Sequence, residues 1–179
     1  MRLSPKLVGP AVAVCLALGG TVAAAPPAPQ SPSRTAAQYC ATVVSKTLDP
    51  AGHSRVLGEA CSAVSREDAL ALADAPNRTA GQRNTPVRTL LLDEYKDENR
   101  ETSIYSFYGD AGGCDAEGYH LVNYYEIALS VSSMDGYYGC NKVHLWNMNQ
   151  RESNPDPDLP AFSLGSFNDS VRELQVYRG

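Results

Sequence analysis

From Val87 onward the chain breaks into short runs of β-branched and aromatic residues. They are Leu90-Leu91-Leu92, Thr102 to Tyr108, His120 to Tyr124, Ala128 to Ser132, Lys142 to Trp146 and Leu174 to Tyr177. Gly, Asp, Asn and Pro separate them, and none carries helical periodicity. Runs this short suit strands better than stable helices, so this half is expected to fold as an all-β sandwich or barrel. The clearest alternation is Leu174-Gln175-Val176-Tyr177-Arg178, with Val143-His144-Leu145-Trp146 behind it. Aromatic residues mark the same boundary. Of the 14 in this 179-residue chain, Tyr39 alone precedes residue 90, and the other 13 lie between Tyr95 and Tyr177. The interval 88–179 suffices for one small β-domain, although a domain of that size is marginal on its core alone.

The amino terminus reads as an export signal. Arg2 and Lys6 form a basic start, Leu7 to Val22 carries no charge, and Ala23-Ala24-Ala25 supplies small residues for cleavage. Cleavage after Ala24 avoids placing Pro26 first. The apolar run, broken by Gly9-Pro10 and Gly19-Gly20, is short for a membrane span of about 20 residues. Cys15 falls inside the discarded signal. Loss of residues 1–24 removes two of the 15 basic residues and none of the 20 acidic ones, leaving a net charge of −7. No basic patch is visible, which argues against nucleic acid and anionic membranes as partners. The expected location is extracellular.

Four cysteines then remain: Cys40, Cys61, Cys114 and Cys140. An even count in an exported chain reads as disulfides. Four cysteines allow three pairings, among which sequence alone does not choose; spacing favours Cys40–Cys61 and Cys114–Cys140, each within one half. Each loop would contribute about 3 kcal/mol in the chain-entropy description. No C-x-x-C occurs, and His53, His120 and His144 lack zinc-ligand spacing.

Residues 25–37 form a Pro-rich, extended leader, and 38–87 a small disulfide-tied subdomain with its linker. Within it, Tyr39 to Lys46 is strand-like, Asp49-Pro50-Ala51-Gly52 has turn chemistry, and Ser54 to Ser62 leads back to Cys61. Ser65 caps a short helix, with Glu67 and Asp68 in its first turn and Ala69 to Ala73 following; Pro76 ends it.

No motif of a hydrolase or phosphate site is present. G-x-S-x-G, H-E-x-x-H and phosphate loops are all absent. His144 alternates with Val143 and Leu145 and should face solvent; His120 should enter a strand. Asp93-Glu94 and Asp97-Glu98 read as a solvated acidic loop. Tyr124-Tyr125 and Tyr137-Tyr138 are candidates for a binding surface, since Tyr anchors many interfaces. The competing reading puts one Tyr of each pair in the core, because adjacent strand residues alternate.

Residues Tyr125 to Val131 and Asn168 to Leu174 relate at an offset of 43, a weak internal repeat. Tyr105-Ser106-Phe107-Tyr108-Gly109-Asp110-Ala111-Gly112-Gly113-Cys114 with Gly118-Tyr119, Ser130-Val131-Ser132-Ser133 before Cys140, and Leu164-Gly165-Ser166-Phe167-Asn168-Asp169 carry a likeness. On these the chain resembles the βγ-crystallin-like proteins exported by actinomycetes, over about residues 88–179. The resemblance implies two Greek-key motifs packed as a β-sandwich. The family includes a metalloprotease inhibitor and a killer-toxin-like protein, so the fold alone fixes no function.

Many microbial relatives bind Ca²⁺ through two acidic or Asn positions followed, after two more residues, by hydroxyls. Here the second copy reads Asn168-Asp169 then Arg172-Glu173, and the first Tyr125-Glu126 then Leu129-Ser130. Both depart from the pattern, and calcium wants six to eight oxygens. Glu126, Ser130 and Asp169 are the ligands that would remain; otherwise no cofactor is implied.

The expected function is an exported, non-enzymatic crystallin-like binding protein, most concretely a peptidase-inhibitor-like one. Its partner would be an extracellular protein such as a protease, or a cell-wall component. Asn147 to Pro160 and Asp93 to Glu101 are the two candidate inhibitory segments. The alternatives are a secreted toxin-like or hydrolytic enzyme using His120 or His144, and a calcium-stabilised structural protein.

Overall fold

The β-branched and aromatic runs pair into eight strands in two sheets. A computed structural model describes residues 39–77 and 87–179. The export signal 1–24, Cys15, the Pro-rich leader 25–37 and the linker 78–86 lie outside the described residues. In chain order the elements are β1 (Tyr39–Leu48), β2 (Ser54–Ser62), α1 (Arg66–Ala73), β3 (Thr89–Tyr95), β4 (Ser103–Gly109), β5 (Tyr119–Val122), α2 (Tyr125–Ala128), β6 (Ser133–Gly136), β7 (Lys142–Asn147) and β8 (Val171–Tyr177). One sheet runs β2-β1-β4-β3-β6 and the other β5-β8-β7. Neighbours are antiparallel except β1 and β4, which run parallel.

Alternation drives the packing. In β7 burial alternates residue by residue, with Val143, Leu145 and Asn147 inside and Lys142, His144 and Trp146 more exposed. Leu92, Phe107 and Met134 of the first sheet share one core with Leu121, Leu145 and Leu174 of the second. The chain is therefore mainly β and sandwich-like.

Pairing in the first sheet skips a strand. β3 pairs with the next strand, β4, and with the fourth, β6, while the intervening β5 joins the opposite sheet. After β7, Glu152 bridges back to Trp146, Ala161 crosses to Met134 of β6, and β8 returns beside β7. Near residues 120–136 the structure differs from the strands expected there. The strand begins at Tyr119, Tyr125–Ala128 is a helical turn, and the next strand is Ser133–Gly136 rather than Ala128 to Ser132. Burial of Ile127 and Ala128 from one turn outweighs the β-propensity of the local sequence.

The sequence reads residues 38–87 as a small subdomain with its linker. Instead β1 hydrogen-bonds β4 from Cys40↔Tyr105 to Val44↔Gly109, so the hairpin extends the first sheet. Helix α1 covers that extension: Ala69 and Ala73 pack with Ala41, Val43 and Tyr108. Ser65 caps it as expected, its side chain accepting from the Asp68 N–H. Gly58 permits the close approach, because a Cβ there would lie 1.9 Å from the Ala73 carbonyl oxygen.

Both favoured disulfides form, Cys40–Cys61 and Cys114–Cys140. The second is buried in the main core. Replacing Cys114 and Cys140 by Ala should lower stability by about 3 kcal/mol, the loop-closure entropy of a 26-residue separation. Urea unfolding measures it, and an unchanged midpoint would refute the assignment.

Candidate functional site

The tip of the first hairpin shapes the main recess. The β1–β2 register slips between Val43 and Val44 and again before Leu48, which bends the hairpin away from a flat sheet. Asp49 Oδ1 closes the turn by accepting from the N–H groups of Ala51 and His53, at 2.8 and 3.0 Å. The His53 N–H leads in holding the Asp49 carboxyl below the usual carboxylate range, against a smaller opposing effect of burial. The His120 N–H donates to Ser54 Oγ at 3.1 Å, and His53 Nε2 lies 3.3 Å from Glu173 Oε2. The tip is thus tied to β5 and β8 of the other sheet.

Beneath the tip lies a cavity of about 370 Å³. Val44, Phe107, Tyr105 and Leu121 give it apolar walls, and Thr42, Asp49, Asn123 and Tyr124 give it polar ones. A second cavity, about 360 Å³, continues past His53 to His120, Glu173 and Trp146. The first is braced by Glu59. Tyr105 donates to Glu59 Oε1 at 2.5 Å, Tyr124 donates to Glu59 Oε2, and Thr42 donates to the Tyr105 oxygen at 2.7 Å. Burial, reinforced by the Glu59 charge, pushes the Tyr105 phenol well up, so it stays protonated and keeps donating.

The outward face of β5-β8-β7 collects the histidines. His120 and His144 both register with Gln175. His144 packs edge-on against Trp146 with ring centroids 4.2 Å apart, and His120 is 6.4 Å from the same ring. Burial, then the nearby His53 and His144, lowers the His120 pKa. His144 Nδ1 meets Asp156 Oδ1 at 2.6 Å. Ser153 donates to that same Asp156, at 3.1 Å, and its oxygen accepts from the Leu145 N–H. A nucleophile would need its hydroxyl on the imidazole; here serine and histidine both meet the carboxylate.

Residues 148–160 form a mostly exposed segment held at several points. The Ser153 N–H donates to Leu145 O, the Leu159 N–H to Asn141 O, and the Pro157 carbonyl accepts from Val143 N–H. Asp156 also accepts from Tyr177, at 2.7 Å. Burial alone would raise the Asp156 carboxyl, yet hydrogen bonds from Tyr177, His144 and Ser153 prevail and lower it.

The other expected site residues are dispersed. Ser130 Oγ donates to the Glu126 carbonyl within one turn. The Asp169 N–H donates to Val131 O, which brings the 168–170 turn beside that segment. Among the described residues no three His, Cys, Asp or Glu side chains are grouped to hold a metal ion. Tyr124 and Tyr125 are both exposed, at 48 and 63 %, because they open a helical turn instead of alternating on a strand. Tyr138 is exposed and Tyr137 half-buried.

Asp93 and Glu94 overturn the acidic-loop reading. Both lie on β3 with no exposed surface, which also removes the start of Asp93 to Glu101 as an inhibitory segment. Asp93 accepts from Arg66 at 2.6 Å and from Ser106 at 2.5 Å. Glu94 accepts from Asn123 at 2.9 Å. Burial pushes its carboxyl up to about 8, against the Asn123 hydrogen bond and with the Asp93 charge adding. Among the described residues no helix is long and apolar enough to cross a membrane. No protein-family model, curated protein or solved structure matches the chain.

Proposed function

We propose that this chain is an exported, non-enzymatic binding protein, built as a βγ-crystallin-like pair of Greek keys, that inhibits an extracellular peptidase. The exported location is supported by the two disulfides, which persist in oxidising compartments. Greek keys are supported by the first-to-fourth pairing of β3 with β6. One observation carries the inhibitory reading: residues 148–160 are mostly exposed yet lie hydrogen-bonded along β7, through Ser153, Pro157 and Leu159 and through Asp156. A segment ordered before binding loses little conformational freedom on docking in a peptidase cleft, and resists the motion that cleavage needs.

A panel of metallo-, serine and cysteine peptidases tests this. The mature protein should inhibit at least one at micromolar concentration while staying uncut. Asp156→Ala, which releases His144, Ser153 and Tyr177 together, should weaken that inhibition about tenfold, or 1.4 kcal/mol. Absence of inhibition across the panel, or cleavage within 148–160, would overturn the reading. Turnover of any substrate would favour the enzyme alternative.

A further inference from the structure

The two cavities beside the hairpin tip adjoin, since His53 and Leu121 line both. Each has the volume of an ordinary small-molecule site. Tyr105, Phe107 and Tyr124 line the first and Trp146 the second. Asp49 and Asn123 also line the first, His120 and Glu173 the second, and His53 both. Asn123 is only 5 % exposed; its amide N–H groups are spent on Glu94 and the Val171 carbonyl, and its Oδ1 has no partner among the described residues.

We propose that this groove binds a neutral oligosaccharide. A sugar ring offers C–H bonds on its faces, which stack on the negative face of an aromatic ring. Its rim offers hydroxyls, each both donor and acceptor, which match carboxylate and imidazole groups. Two adjoining cavities, each with an aromatic ring and such groups in its lining, fit a short chain of rings better than a single compact ligand. Charge selects the neutral class. Asp49 and Arg55 both line the first cavity, Glu173 faces His53, and the chain carries a net −5, which repels polyanions. A peptide added as a strand to β5 is disfavoured, because Ser54 already occupies the His120 N–H. The groove uses residues other than 148–160, so it stands apart from the peptidase reading.

Trp146 is the chain's only tryptophan, so its emission reports occupancy of the second cavity. The probes are the tetramers of β-1,4-glucose, β-1,4-xylose and β-1,4-N-acetylglucosamine, with tetragalacturonate as the acidic control. At least one neutral tetramer should shift Trp146 emission saturably at or below millimolar concentration, more tightly than its monomer. Tyr124→Ala, remote from the reporter, should weaken that binding about tenfold, while Tyr124→Phe, which keeps the ring but not the bond to Glu59, should retain it. Melting curves of both variants check that they fold. No response to any neutral tetramer at about 10 mM, preference for the acidic control, or Tyr124→Ala and Tyr124→Phe behaving alike would overturn the proposal.

Discussion

Glu94→Gln should make the protein more stable at pH 7, by about 3 kcal/mol, and should remove most of the pH dependence between 5 and 8. The reason is the proton that folding imposes on this side chain. Its carboxyl titrates at 4.5 when solvated and at about 8 when buried on β3. Below pH 4.5 both states hold the proton, and above 8 neither does. Between those limits the folded chain keeps a proton that the unfolded chain has released, so stability falls as pH rises. The accumulated cost at pH 7 is about 3 kcal/mol at 1.36 kcal/mol per pH unit. Gln is neutral in both states, keeps the oxygen that accepts from Asn123, and matches the volume. Thermal unfolding across pH 5–8 measures the effect; at about 2–4 °C per kcal/mol the melting temperature should rise by roughly 6–12 °C at pH 7. Equal stability and equal pH slope in variant and parent would mean that Glu94 is ionised in the folded protein.

Arg66→Ala should cost about 3 kcal/mol, far more than an ordinary surface ion pair. Arg66 is partly exposed, but its partner Asp93 is not: their side chains are 34 and 1 % accessible. Removing the guanidinium leaves a buried carboxylate with only hydroxyl partners among the described residues, Ser106 and Tyr137, and the desolvation of that charge goes uncompensated. The pair also joins α1 to β3, so hydrogen exchange in residues 66–73 should quicken. Asp93→Asn in the Arg66→Ala background should recover most of the loss by removing the stranded charge. A loss below about 0.5 kcal/mol, or no recovery in the double variant, would place Asp93 in contact with water.

The two acidic residues also mark where sequence reasoning stops. Asp93-Glu94 sits in the densest charge cluster of the chain, and such clusters are normally solvated. Their burial depends on Arg66, 27 residues earlier, and Asn123, 29 residues later. Nothing near β3 in sequence announces either partner. The turn at Tyr125 was missed for a related reason. Tyr124 is held by Glu59, 65 residues away, and Ile127 is buried by the fold around it; the local residues alone favour a strand. The groove is the extreme case. His53, His120 and Trp146 come from a hairpin tip and from two strands of the other sheet, and the ties from Ser54 to His120 and from His53 to Glu173 bring these elements to one place.

What the sequence determined by itself is local. It set the strand-rich character of residues 88–179, the second hairpin strand from Ser54 to Ser62 and the Ser65 cap, and it favoured the two short-range cysteine pairings that the structure forms. These follow from propensity, alternation, capping and loop length, all of which act within a few turns or one short loop of chain. Only the tertiary structure decided that β1 lies parallel to β4, that Asp93 and Glu94 are internal, and that a groove runs from Tyr124 to Trp146. Those features rest on contacts between segments tens of residues apart. Their energy comes from burial and from satisfying buried polar groups, which exist only once the two sheets have packed.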